Sequence, residues 1–162
     1  MFKTKMSDEE ITMLYSRHFD MLYRLAFTYM KTKEDSEDAV QAAFIKLIKN
    51  PVVFQNEEHQ KAWLITVCVN QCKDTLKREY KTEEPLDDFA GETSDKYSFD
   101  GIMEEILKLP LRLRSALYLS CILGYSSGEI EKMTGRKAST VRNDLSLARE
   151  ELKKKTGGDL FE

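Results

Sequence analysis

The sequence predicts an all-α protein made of two small helical domains, and three observations carry that prediction. Apolar residues recur at spacings of three and four through most of the chain, the pattern of helices buried along one side. Gly and Pro are scarce, at 7 and 3 of 162 residues, so few breaks interrupt the pattern. Acidity is concentrated in one short stretch: residues 82–100 carry 1 Lys against 7 Asp and Glu, whereas 1–81 hold 13 Lys and Arg against 12 acids and 101–162 hold 11 against 9. That stretch contains Pro85, Gly91 and several Ser and Thr, and has little apolar periodicity. It reads as an acidic flexible linker between domains spanning 1–81 and 101–162.

Residues 1–6 read as a frayed end. Ser7 opens the first helix, with Glu10 placed to close a capping box. Ile11, Leu14, Tyr15, Leu22, Leu25, Ala26 and Tyr29 form its buried stripe, and His18 reads as a packed or solvated side chain. A break at Lys31-Thr32-Lys33 precedes a second helix with Ala39, Val40, Ala43, Phe44, Leu47 and Ile48 on its apolar face. Glu37, Asp38 and Gln41 fall on the other face. The acids in its first turns also have a bland explanation, since a helix N-terminus favours negative charge. Asn50-Pro51 ends this helix, because the residue before proline avoids α geometry. A loop over 51–60 follows, then a third helix with Trp63, Leu64, Val67, Cys68, Cys72, Thr75 and Leu76 packed inward. Lys61, Lys73, Lys77, Arg78 and Lys81 lie on or beyond its edges.

The second domain starts with a short helix through Ile102, Met103, Ile106 and Leu107, interrupted at Pro110. The next helix packs Leu113, Ala116, Leu117 and Cys121 and ends at Gly124. Ser126 and Glu129 then form a capping box ahead of Ile130 and Met133, with a turn at Thr134-Gly135. The last helix buries Val141, Leu145, Ala148 and Leu152, leaving Ser139, Thr140, Arg142, Asn143, Ser146 and Arg149 outward. Helix, glycine turn and donor-rich helix is the helix-turn-helix pattern, although an ordinary helical hairpin shows it too.

Several function classes are disfavoured. The two His are isolated in sequence, and no nucleophile-base pair or glycine-rich phosphate loop is present, so an enzyme is not expected. Cys68 and Cys72 with His59 fall short of the four ligands a structural zinc needs, and no cofactor or metal is expected. No apolar run approaches eighteen residues and no signal peptide precedes the first helix, so membrane insertion is not expected. Three Cys cannot all pair internally, which suits a reducing cytoplasm. A net charge of −3 argues against strong autonomous DNA binding, because phosphate neutralisation dominates such affinity.

Four separated motifs resemble the bacterial sigma-70 family, in its extracytoplasmic function (ECF) group. Glu37-Asp38-Ala39-Val40-Gln41 with Phe44 resembles the family's EDxxQ helix. Trp63-Leu64, Asn70, Asp74 and Lys77-Arg78 resemble its WL…N…D…R helix, and Leu109-Pro110 with Arg114 its LP…R segment. Gly124-Tyr125-Ser126, Glu129-Ile130, Thr140-Val141-Arg142, Leu145 and Ala148-Arg149 are similar to its helix-turn-helix. The resemblance covers most of 11–155 and implies a sigma-2-like domain and a sigma-4-like domain. The implied activity is promoter selection and opening for core RNA polymerase. The implied partners are that enzyme, promoter DNA as duplex and single strand, and an anti-sigma protein.

By the same resemblance, Glu37, Asp38 and Gln41 are the core polymerase-binding residues. Phe54, Lys61, Asn70, Lys73, Lys77 and Arg78 are candidates for the minus-ten element, where unstacked bases need aromatic faces and positive charge. Trp63 is weighed as core. Arg136, Lys137, Ser139, Thr140, Arg142, Asn143, Ser146 and Arg149 are candidates for the minus-thirty-five duplex. The chain departs from the family at Thr66 and Val69, where basic residues are common, and in the acids Glu57 and Glu58 near the loop. It departs again at Arg136, where an aliphatic residue is usual, and at Asp144 and Leu147, where basic residues are common. An acid at 144 is expected to oppose DNA phosphates. Two rival readings are a LuxR-like helix-turn-helix regulator, which leaves the first two motifs unexplained, and a sigma-like helical protein that binds polymerase without reading promoters.

Overall fold

The computed structural model describes residues 6–79 and 99–156. They divide into two units, Met1–Lys81 and Thr82–Glu162. All regular structure among the described residues is helical. Residues 82–98 of the predicted linker lie outside the described residues, as does the chain end from 157. Phe99 and Asp100, read as linker from sequence, belong structurally to the second unit: Phe99 is buried, and Asp100 caps the helix that follows.

The first unit is a three-helix assembly. Helix α1 (Asp8–Met30) starts where the Ser7 hydroxyl accepts the Glu10 amide at 3.1 Å, with acids at 8, 9 and 10 complementing the helix dipole. It stops at Lys31, which adopts a left-handed φ of 63° and returns its amide to the Phe27 carbonyl. Thr32 immediately caps α2 (Lys33–Lys49), accepting the Asp35 amide at 3.3 Å. So short a connection makes α1 and α2 a helical hairpin, and α3 (Glu57–Glu79) packs against both. Tyr15, Phe19, Tyr23 and Phe27 form a ladder along α1 with centroid spacings of 5.2, 5.7 and 5.9 Å. Tyr15 also meets Phe44 of α2 edge-on at 5.0 Å, in the aromatic geometry that adds to simple burial.

Two details differ from the sequence reading. Helix α3 begins at Glu57 rather than after Gln60, because the Asn56 side chain accepts the His59 amide at 2.8 Å. Its first turn carries exposed Glu57 and Glu58, so no apolar period announced it. Ile48, expected on the packed face of α2, is 43% exposed, and Ile45 is 50% exposed.

The second unit opens with α4 (Gly101–Leu107), capped by Asp100 Oδ1 on the Met103 amide at 2.9 Å. Helix α5 (Leu111–Leu117) follows Pro110, and the buried Arg114 guanidinium braces that corner by donating to the Leu109 carbonyl at 2.9 Å. The chain then runs into a π-helical turn, Tyr118–Ile122. The wider turn breaks the 3.6-residue register, which is why Cys121, expected inside, is exposed. Helix α6 (Ser127–Thr134) has the full predicted capping box: the Glu129 amide reaches Ser126 Oγ at 3.2 Å and the Ser126 amide reaches Glu129 Oε1 at 3.0 Å. Gly135 ends it at φ 79°, a conformation that costs other residues dearly. Helix α7 (Ala138–Thr156) then lays Val141, Leu145, Ala148 and Leu152 into a core shared with Leu113, Ala116, Leu117, Ile130 and Met133.

Candidate polymerase and nucleic-acid interfaces

Helix α2 presents a mixed face. Asp38 and Gln41 are exposed and Glu37 half-buried, with the Lys33 ammonium 4.0 Å from the Glu37 carboxylate. The same strip continues into exposed Ile45 and Ile48, which line a shallow apolar groove with Ile11, Tyr15 and Phe44. The face therefore offers carboxylate and amide acceptors at one end and uncovered aliphatic surface at the other. The sequence reading found the polar end. It missed the apolar end because a helix stripe wider than the core it covers looks the same in sequence.

The loop 51–56 and the start of α3 form an aromatic corner. Phe54 meets His59 at 5.4 Å and Trp63 at 5.8 Å between centroids, both edge-on. His59 Nδ1 accepts the Gln55 amide at 3.1 Å, holding the loop over the helix. Trp63, weighed as core, is only half-buried and joins Phe54 at this surface. Lys61 and Lys73 are half-buried, while Asn70, Lys77 and Arg78 are exposed. Asp74, Lys77 and Arg78 line a shallow hollow with Gln71 near the end of α3. Val69 is completely buried, so it is a core position, and a basic residue there would have no access to DNA. Thr66 bonds its own helix through the Ala62 carbonyl at 2.8 Å. Among the described residues, no three or more potential metal ligands come together. Cys68 and Cys72 are buried among apolar side chains. The Cys68 hydrogen bond and burial raise the Cys72 thiol well above its ordinary range.

The outer face of α7 carries Ser139, Thr140, Arg142, Asn143, Ser146 and Arg149, all exposed, with Lys137 exposed just before the helix. The Arg142 guanidinium rests on Ser127 Oγ at 3.2 Å, at the start of α6. Arg136 does not belong to this face. Its guanidinium turns inward to Ser115 Oγ at 3.2 Å, to the Arg112 carbonyl at 3.0 Å and to the Asp144 carboxylate. Asp144, expected to oppose phosphates, has a side chain 2% exposed and also accepts from Arg112 Nη1 at 2.6 Å. Two of the departures from the family pattern, Arg136 and Asp144, thus pair with each other inside the unit. Their pairing was invisible in sequence because eight residues and a helix start separate them.

Residues 14–82 match the Sigma-70 region 2 family, and residues 99–152 match Sigma-70, region 4. The chain belongs to the sigma-70 family, in its extracytoplasmic function group. The ECF RNA polymerase sigma factor SigM of Mycobacterium tuberculosis is 29% identical over 148 residues, covering 89% of this chain and 76% of SigM. SigV, an RNA polymerase sigma factor of Bacillus subtilis, is 27% identical over 135 residues, covering 81% of each chain. In fold, the chain is similar to the sigma factor RpoE solved with the anti-sigma factor NepR from Bartonella quintana. That likeness has a TM-score of 0.70 at 19% identity and covers 93% of this chain and 99% of the other. As a sigma factor, the protein is a transcription initiation subunit that directs RNA polymerase to promoters. No helix among the described residues is long and apolar enough to cross a membrane.

Proposed function

We propose that this ECF sigma factor docks on core polymerase through α2, captures single-stranded minus-ten DNA at the aromatic corner of α3, and reads the minus-thirty-five duplex with α7. The observation that carries the docking assignment is the exposed face of α2, where Asp38 and Gln41 run into Ile45 and Ile48. Carboxylates pair with partner guanidiniums, and uncovered aliphatic side chains supply the desolvated centre an interface needs. Tethering by polymerase raises the effective DNA concentration at α7, so modest basicity suffices. A LuxR-like regulator would have no use for that face.

At minus ten, Phe54 and Trp63 offer ring faces for unstacked bases, with Lys61, Asn70, Lys73, Lys77 and Arg78 placed for the backbone. At minus thirty-five, Arg142 and Asn143 have the fork and amide geometry to read base edges. Lys137, Ser139, Thr140, Ser146 and Arg149 surround them, and Arg136 leaves the reading set. The protein acts by binding and positioning while polymerase makes the bonds, and it works in the cytoplasm with the chromosome. An anti-sigma protein is proposed as a further partner.

Asp38→Arg tests the docking surface. The variant is expected to fold as the wild type does, because position 38 is exposed, and to lose most of its affinity for core polymerase in a pull-down titration. Wild-type affinity in a folded D38R protein would remove α2 from the interface.

A further inference from the structure

The second unit contains a polar cluster that promoter reading leaves unused. Asp144 lies on α7 directly after Asn143, yet its carboxylate faces inward while Arg142, Asn143 and Ser146 face outward. Each of its oxygens takes a different guanidinium, Arg112 on one and Arg136 on the other. Arg136, in the turn before α7, also bonds the Arg112 carbonyl and Ser115 Oγ, both on α5. Three segments of the unit are therefore joined through one buried carboxylate. We propose that Arg136 and Asp144 are positioning residues that fix the roll and depth of α7, and through them the discrimination among minus-thirty-five sequences. This rests on α7 being the duplex-facing helix.

Apolar contacts are non-directional, so a helix seated only on them can roll or slide slightly at little cost. A planar guanidinium bonded to two elements at once sets both distance and angle. Base reading needs donors held within about 0.5 Å and 10–20° of their productive geometry. The cluster stands at the same turn of α7 as Arg142 and Asn143, where such control has most effect. A buried ion pair adds little net stability, because desolvation offsets the attraction, and apolar replacements of similar volume often fold equally well. The contribution of the network is accordingly the pose of α7, and stability and discrimination should separate.

The test uses holoenzymes reconstituted from core polymerase with the wild type, with R136M/D144L and with Arg136→Lys. The probe is a promoter fragment found by mapping wild-type transcript starts on genomic DNA, paired with the same fragment carrying a scrambled minus-thirty-five sequence. R136M/D144L is expected to melt near the wild-type temperature yet lose about tenfold or more in discrimination between the two fragments. Arg136→Lys keeps a cation against Asp144 but cannot reach all three acceptors, and it is expected to fold and to lose discrimination as well. Both variants should bind the scrambled fragment as the wild type does. Wild-type discrimination in either folded variant would overturn the proposal, and unfolding of R136M/D144L would overturn the claim that the network serves pose rather than stability. A wild-type holoenzyme blind to the scramble would overturn the promoter reading itself, and the proposal with it.

Discussion

The first unit closes its core with aromatic and aliphatic side chains, and its buried Thr28 and Ser36 hydroxyls bond locally. Thr28 bonds the Leu25 carbonyl at 2.6 Å and Ser36 bonds the Thr32 carbonyl at 2.6 Å, each within a turn of its own helix. The second unit seats its last helix partly on a long-range ion network through Asp144. The difference lies in what each functional face asks of its core. The proposed docking surface, exposed Asp38, Gln41, Ile45 and Ile48, needs only a rigid helix beneath it. A helix that reads base edges must also be fixed in rotation, and directional bonds do that better than packing.

That contrast is most sharply tested at Asp144. Asp144→Ala leaves the largely buried Arg136 guanidinium without its anion, and breaking such a pair costs about 3–5 kcal/mol. Hydrogen exchange read by mass spectrometry should show α5 and α7 losing protection while α1 to α3 keep theirs. Equal loss in both units, or none, would dissolve the distinction.

On the docking side, Ile48→Glu places a charge in the apolar groove of α2. We expect core polymerase binding to weaken by about 2 kcal/mol, as at an interface anchor. Stability should stay within about 0.5 kcal/mol, because the side chain is already exposed. A large stability loss with unchanged polymerase affinity would show that Ile48 belongs to the core.

Arg142→Ala probes the reading face without touching the network below it. The expected loss at the cognate promoter is about 1–3 kcal/mol, as for a bidentate base contact, with an unchanged melting temperature. Electrophoretic competition between cognate and altered minus-thirty-five fragments measures it. An unchanged preference would move Arg142 to phosphate contact or out of the interface.

The smallest effect concerns acid stability of the first unit. Burial lowers the His18 pKa from its ordinary 6.5, the nearby Arg17 and Lys61 charges add to that shift, and the Gln60 side chain and the Glu57 charge work against it. The folded state thus prefers the neutral imidazole, and the unfolded chain takes up the proton first as pH falls. The His18 contribution is whole above 6.5 and is lost as pH drops through the lowered folded value. His18→Gln should flatten that limb of a urea-midpoint profile. An unchanged acid limb would show that other groups set it.

The helices themselves were largely legible, because Ser126 with Glu129, Asn50-Pro51 and Gly135 are local signals read within one turn. The outward set on α7 followed from the stripe Val141, Leu145, Ala148 and Leu152 for the same reason. What sequence concealed was relational. Arg136 and Asp144 looked like two surface oddities until the fold paired them. Cys121 was misplaced because a π-turn shifts the register, and Trp63 because its partner Phe54 comes from a loop. Ile45 and Ile48 obey helical periodicity, which says nothing about where a core ends.

The account stands most directly on transcription itself. Reconstituting the chain with core polymerase and mapping transcript starts on genomic DNA should yield a set of starts absent with core enzyme alone, sharing a minus-ten and a minus-thirty-five sequence at fixed spacing. Starts that do not depend on the chain, or specific binding to palindromic duplex without polymerase, would contradict it.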